Sequence, residues 1–258
     1  MAAPALRFME TQARVYRRTW KASAFTTFLN PVLFLLAMGM GLGTLVDRGD
    51  GAAGLGGLTY LQFLAPGLLA ASAMQTAAGD SSFPVMAGVK WQKTYHAALA
   101  TPISARDLVH GHLIWVLVRL LMTVTAFFVV MALFGAARLP GGAVAVLPAV
   151  LTGMAFAAPV TAFAVRLEND YHLSSLFRFG IVPLFLFSGT FFPISQLPGW
   201  LQPAAYVTPL WHGVELTRAA ALGTAPAWPP ILHAAYLAAW VAVGVGLAVR
   251  GFRRRLVR

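Results

Sequence analysis

Six apolar runs of near-bilayer length, a charged fraction of only 10%, and basic residues gathered in the links between the runs predict an all-α membrane protein with six transmembrane helices. Soluble domains carry about a quarter charged residues, so a chain that is 59% hydrophobic is not written for water. A net charge of +11 can signal nucleic acid, but here the clustering of the charge favours a topology signal and no nucleic-acid partner. The lack of cysteine excludes disulfides, thiolate metal sites and cysteine nucleophiles.

The chain opens on an amphipathic segment, 5–24. Leu6, Met9, Ala13, Tyr16 and Trp20 recur at helical spacing, and Arg7, Glu10, Arg14, Arg17 and Lys21 repeat that spacing one position on. Such a helix suits a membrane interface; packing on a partner protein is the alternative. A charged head of this kind does not read as a cleavable signal peptide. The first span, 25–46, is interrupted by Asn30-Pro31 and carries Gly39, Gly41 and Gly43 at its far end, where small residues permit close helix packing. A Gly-rich link with Asp47, Arg48 and Asp50 reads as a flexible external loop. The second span, 60–82, is kinked at Pro66, and its Gln62, Gln75 and Asp80 should face other helices or water.

Residues 84–107 form the longest polar connection on the expected inner side. Within it 89–100 can make a short helix with Trp91, Tyr95 and Leu99 on one face, ended by Thr101-Pro102 because the residue before Pro avoids helical geometry. An exposed aromatic face flanked by cations suits a partner surface; a helix resting on lipid headgroups is the alternative. Ser104 with Asp107 reads as a capping box opening the third span, 108–134. Arg119 lies inside that span and must either snorkel or pair with Asp80. After an Arg138-Leu-Pro-Gly-Gly turn the fourth span, 143–165, contains Pro148 and Pro159. The turn 166–178 holds Glu168, Asp170 and His172, but two carboxylates two residues apart share no helix face, so a solvated turn is favoured over a metal site.

The fifth span, 174–192, is short and runs into Ser188-Gly189-Thr190 before Pro193. Two Pro-led segments follow, opening at Pro198 and Pro209, since Pro is tolerated in a first helical turn. Thr208 is placed as an N-cap and Gly223 as the matching stop; Leu210, Val214 and Ala221 share one face, and Glu215 lies close to Arg218. These pieces over 195–223 are too short to cross a bilayer and too apolar to leave it, so they read as re-entrant helices; an ordinary long loop is the alternative. The sixth span is 230–249, and Arg250, Arg253, Arg254, Arg255 and Arg258 end the chain. With both termini inside, the inner segments hold fifteen Lys and Arg and the outer ones three (Arg48, Arg138, Arg218), which fixes cytoplasmic termini.

The run F-x-F-S-G-T-F-F-P-x-S-x-L-P-x-W-L over 185–201, followed by P-L-W-H-G-V-E-L-x-R over 209–218, resembles the membrane subunits of ABC-2 type ABC exporters. Within that group it is most similar to the nodulation-type lipo-oligosaccharide export permeases (NodJ-like). The resemblance implies a single transmembrane domain over 1–258, of the type V exporter kind, in a bacterial cytoplasmic (inner) membrane. It implies a coupling helix at 89–102 seated in a groove of a cytoplasmic ATPase, formed here by Lys90, Trp91, Lys93, Thr94, Tyr95, His96, Leu99, Thr101 and Pro102. It also implies a re-entrant gate containing Phe187, Ser188, Gly189, Phe192, Pro193, Leu197, Pro198, Trp200, Pro209, Glu215 and Arg218, with Phe185 and Phe191 as further greasy lining. Two permease copies, or this chain with a related one, would join two ABC ATPase subunits that hold ATP and Mg, leaving no cofactor in this chain. The implied cargo is amphipathic: a glycolipid, lipo-oligosaccharide, polysaccharide or drug.

The residues themselves agree with a subunit that draws its energy from elsewhere. No G-x-x-x-x-G-K-[ST] phosphate loop, H-E-x-x-H or G-x-S-x-G occurs. Lone histidines such as His110, His112 and His212 read as helix-end or packing residues. The competing reading is an ATPase-independent secondary carrier or a membrane-embedded enzyme. Carriers usually need intramembrane acids for ion coupling, and apart from Asp80 the spans offer none.

Overall fold

The computed structural model describes residues 4–48, 55 and 57–256, and every regular element among them is helical. Asp50 and Arg258 lie outside the described residues. The order is α1 (Pro4–Leu35), a π-helical stretch (Leu36–Leu42), α2 (Gly43–Arg48), α3 (Tyr60–Ser81), α4 (Phe83–Lys90), α5 (Thr94–Leu99) and α6 (Ala105–Leu133). There follow α7 (Val146–Ala164), α8 (Tyr171–Leu176), α9 (Val182–Phe187), α10 (Gln202–Tyr206), α11 (Pro209–Leu222) and α12 (Pro230–Leu256). The result is an all-α, membrane-embedded bundle.

Four stretches among the described residues are long and apolar enough to cross a bilayer: Pro31–Arg48, Ala105–Leu133, Gly141–Ala164 and Pro230–Leu256. The other two expected spans correspond to α3 and to the shorter apolar run Tyr171–Phe187. α3 spans 22 residues but carries Gln62, Gln75 and Asp80 among many Ala, Gly and Ser. It lies at the centre of the bundle, packed on α6, α7 and α11, so most of its surface meets protein instead of lipid. A helix so placed has no need of lipid-grade hydropathy.

Local signals set several boundaries. The Ser104 hydroxyl accepts from the Asp107 N–H at 3.2 Å while Asp107 accepts from the Ser104 N–H at 2.9 Å, closing the capping box of α6. Thr59 and Gln62 form a second box at the head of α3, so Gln62 serves as a cap instead of facing another span. Asp47 accepts from the Tyr60 N–H at 2.8 Å, tying the end of α2 to the same place.

The boundary expected between an interface helix at 5–24 and a span at 25–46 does not exist. α1 runs unbroken from Pro4 to Leu35, straight through the Asn30-Pro31 step expected to interrupt it, and its first half lies along α6. A Cβ on Gly111 would lie 2.5 Å from the Ala5 carbonyl, and Tyr16 meets the Trp115 ring edge-on at 5.5 Å. Phe8 is buried on this seam, whereas Leu6 and Trp20 of the expected apolar stripe are exposed.

Each major crossing is seated on a small residue. A Cβ on Gly153 of α7 would meet Leu120 of α6 at 2.7 Å, and one on Gly213 of α11 would collide with the Thr152 side chain of α7. On α12, Gly244 faces Pro159 of α7 at 2.6 Å. Of the three glycines expected to aid packing near the end of the first span, Gly39 abuts Leu61 and Gly43 approaches Tyr60, while Gly41 faces open space.

Candidate functional site

Residues 89–102 do not form one helix. α4 ends at Lys90, Lys93 takes a left-handed conformation with φ 51°, and α5 starts at Thr94. The chain therefore folds back as an elbow, permitted by Gly88, whose added Cβ would lie 2.5 Å from the Tyr95 ring. Trp91 and Tyr95 consequently part company, contrary to the single exposed aromatic face expected from their spacing. Trp91 is 57% exposed, whereas Tyr95 is 4% exposed and packs between Phe8 of α1 (5.4 Å) and Phe252 of α12 (5.1 Å). Burial pushes the Tyr95 phenol pKa up. Leu99 is half-buried against the main core. Lys93, Thr94, His96, Thr101 and Pro102 are exposed, and Lys90, also exposed, donates to the Glu168 carbonyl.

The elbow thus gathers the head of α1, the tail of α12 and the 166–170 turn at one end of the bundle. Tyr95 is its anchor and not part of its open face. Tyr95→Ala is expected to cost about 3 kcal/mol, as for other large buried aromatics, and Tyr95→Phe to keep that stability. Thermal melts of the purified variants check this.

The second predicted region, at the opposite end of the bundle, closes around Arg218. Its guanidinium donates to the carbonyls of Phe63 (3.2 Å) and Gly189 (2.8 Å) and to the Glu215 carboxylate (3.2 Å), and lies 3.9 Å over the Phe63 ring. Gly189 has φ +77°, a turn conformation that suits glycine and that ends the helix at Phe187. Ser188 is buried and shares a hydrogen bond with Thr208, whose hydroxyl also accepts from the Trp211 N–H to cap α11 at Pro209. Glu215 holds the Ala227 N–H with its other oxygen at 3.0 Å.

The helix start expected at Pro198 is not there. Pro198 and Gly199 form an exposed turn, and the Gln202 amide takes the Leu197 carbonyl at 2.9 Å, so α10 opens at Gln202 with Pro203 in its first turn. Leu197 joins Ile194, Ala205 and Trp211 in a small satellite core against which Phe192 packs, and the half-buried Pro193 leads into it. Trp200 (80% exposed) and Phe187 stand on the surface. The expected phenylalanine lining therefore splits. Phe185 and Phe191 meet edge-on at 4.9 Å, with Phe34 6.2 Å from Phe191, while Phe187 and Phe192 lie elsewhere.

Sequence reasoning missed two features. One is an aromatic cluster in which His212 stacks on Tyr236 at 4.0 Å, flanked by Trp211, Trp228 and His233; the His212 and His233 Nδ1 atoms lie 2.9 Å apart. His233 and Tyr236, three apart on α12, were its only signal. The other is a pair of cavities. One, of about 330 Å³, is lined by α1, α3, α6 and Phe185 of α9; the other, of about 600 Å³, lies against the elbow. The trace of the first is a stripe on α3, Leu68, Ser72, Gln75, Thr76 and Gly79, at helical spacing. Asp80 and Arg119 line both cavities and pair at 3.2 Å, with Arg119 also over the Tyr16 ring at 4.6 Å. The pairing engages the acid on which an ion-coupled carrier would have depended. No cluster of three or more metal-ligating side chains occurs among the described residues.

Comparison with known families matches residues 7–222 to the family described as ABC-2 type transporter. Nodulation protein J of Sinorhizobium fredii is 34% identical over 253 residues, covering 94% of this chain and 93% of its own length. The protein of the same name from Rhizobium leguminosarum bv. viciae is 32% identical over 254 residues, covering 95% and 94%. That of Rhizobium meliloti is 32% identical over 253 residues, covering 94% and 93%. An apolar helical bundle, matched over most of its length, thus belongs to the ABC-2 type transporter family, as the permease subunit of an exporter.

Proposed function

We propose that the elbow formed by α4 and α5 is the surface through which a separate ABC ATPase drives this permease, and that the cargo leaves across the cytoplasmic membrane. The observation that carries this reading is the division of labour at the elbow. Trp91, Lys93, His96, Thr101 and Pro102 face outward, while Tyr95 behind them is wedged between α1 and α12. A push on the outer residues reaches two long helices through one rigid ring. An exposed tryptophan such as Trp91 is of the kind enriched at protein interfaces.

The full arrangement has six spans, with α3 and the α8–α9 run joining the four long apolar stretches. The elements between Pro193 and Gly223 re-enter the membrane from the outer side, and both termini are cytoplasmic. The meeting of the head, elbow, 166–170 turn and tail at one end supports this orientation, because these segments carry the basic excess. Two copies of the permease, or one with a related chain, assemble with two ATPase subunits carrying ATP and Mg. The cargo is an amphiphile, of the glycolipid or lipo-oligosaccharide kind that the resemblance to nodulation-type export permeases implies; a polysaccharide or drug uses the same frame.

The test is co-purification with an ABC ATPase partner. Trp91→Ala combined with Lys93→Glu is expected to lower recovered complex and permease-stimulated ATP hydrolysis at least tenfold, with the thermal midpoint of the permease unchanged. Recovery of both at full level would remove the elbow from the interface.

A further inference from the structure

The Asp80–Arg119 pair stands where the two cavities meet, and beyond it the chemistry changes in order. On the elbow side the cavity is walled by Phe8, Val15, Tyr16, Tyr95 and Trp115, with Gln12 and Gln92 among them. Past the pair come Ser72, Gln75, Thr76 and Thr123, and only then Leu68, Phe127 and Phe34. From Asp80 to Leu68 is twelve residues of α3, about 18 Å at the usual helical rise. Polarity falls over that distance much as it does between a lipid headgroup and the bilayer midplane. Phe34 and Phe185 line the far end, and the Phe191 ring packs against both.

Charge selects among heads. The Arg119 guanidinium is already balanced by Asp80, so an anion entering here meets a carboxylate beside its cation. An uncharged, hydroxyl-rich head has no such conflict. Its hydroxyls can accept from Arg119, donate to Asp80, and do either with Gln75 and Thr123. They can thereby satisfy both charged groups as the pair separates, while Arg119 keeps its place over Tyr16.

We propose that this two-chambered cleft within a single protomer binds an amphiphile with an uncharged polyhydroxyl head, and that the Asp80–Arg119 ion pair is the neck that parts to let the head through. The proposal rests on the export reading above and names the site at which that cargo is held.

The chain contains no cysteine, so Ser72→Cys places one reporter thiol beyond the neck in each permease copy that carries it, and labelling is read on the permease band. The full transporter in nanodiscs, without nucleotide, is treated with a bulky charged maleimide. Ser72→Cys is expected to react slowly, and at least tenfold faster when Asp80→Asn is added. Dodecyl glucoside should slow the single variant's reaction at least threefold, and a lysophosphatidylglycerol of equal chain length should not. Gln75→Leu, which leaves the ion pair in place, should abolish the protection.

Equal rates with and without Asp80→Asn would overturn the neck. Equal protection by both amphiphiles, or protection that survives Gln75→Leu, would overturn the head specificity. Because no ATPase turnover enters the readout, protection would persist even if the elbow were not the docking surface. Its loss would leave the elbow assignment standing.

Discussion

Arg218→Met is expected to be the most damaging single substitution at the end of the bundle that closes around α11. It removes the cation from Glu215 and strips two buried carbonyls, of Phe63 and Gly189, of their donor. Breaking a buried, hydrogen-bonded pair by deleting one partner costs about 3–5 kcal/mol, since the remaining groups stay desolvated. For a chain of this size that is a fall in thermal midpoint on the order of 10 °C. Arg218→Lys should recover little of it, because an ammonium cannot present a planar fork to three acceptors on three different segments. Glu215→Gln should cost less, as its remaining oxygen can hold the Ala227 N–H and Arg218 keeps both carbonyls. The double variant Arg218→Met/Glu215→Gln should be less destabilised than the two single losses combined, the signature of direct coupling. Melts by intrinsic fluorescence decide it. An Arg218→Met protein that melts with the parent would show that the turn at Gly189 is held by something else.

This pin was partly legible in the sequence. The spacing of Glu215 and Arg218 put the two on adjacent turns, and Thr208-Pro209 and Gly223 marked the ends of α11 within a residue. Such features are local, depending on side chains three or four residues apart. The carbonyls of Phe63 and Gly189 are not local, and nothing in a linear pattern says that one arginine will reach both. The same limit explains the elbow. Helical spacing aligned Trp91 with Tyr95, but a left-handed residue at Lys93 and the space above Gly88 turned one outward and the other into the core. Periodicity identifies an apolar face without saying whether lipid, partner or core will cover it.

The sequence places a second span at 60–82, yet α3 is not among the four stretches apolar enough by composition to cross a bilayer. Its amide, hydroxyl and carboxylate side chains lower its apparent fitness as a span, yet several of them line the cavities. Asp80 and Arg119 were each conspicuous as costly groups in a membrane, so their pairing could be anticipated. The cavities on either side could not, because they are made by what three helices leave unfilled.

Gly244→Val provides the sharpest test of how the long helices meet. α12 buries His233, Leu237, Gly244, Ala248, Gly251 and Phe252, a single stripe, and Gly244 is its point of closest approach to α7. A Cβ there would lie 2.6 Å from both the ring and the backbone nitrogen of Pro159 and 2.8 Å from Ala158. Backbone cannot step aside as a flexible side chain can. α7 has no room to retreat, because Gly153 is already seated on Leu120 of α6 and close to the Ala73 carbonyl of α3. The added methyl groups must therefore separate α12 from α7, with a cost of at least the 1–3 kcal/mol usual for overpacking, or about 5 °C in midpoint. Gly246→Val makes the same change two residues on, where nothing lies within 4 Å, and should stay within about 0.5 kcal/mol of the parent. Two identical substitutions on one helix then separate propensity from packing, since propensity is common to both. The effect should also reach the elbow, because Phe252, on the same stripe, is one of the two rings that hold Tyr95. Gly244→Val assembled with its ATPase should therefore lose more coupled hydrolysis than Gly246→Val at a temperature where both are folded. Equal coupling in the two would mean that α12 does not carry the stroke.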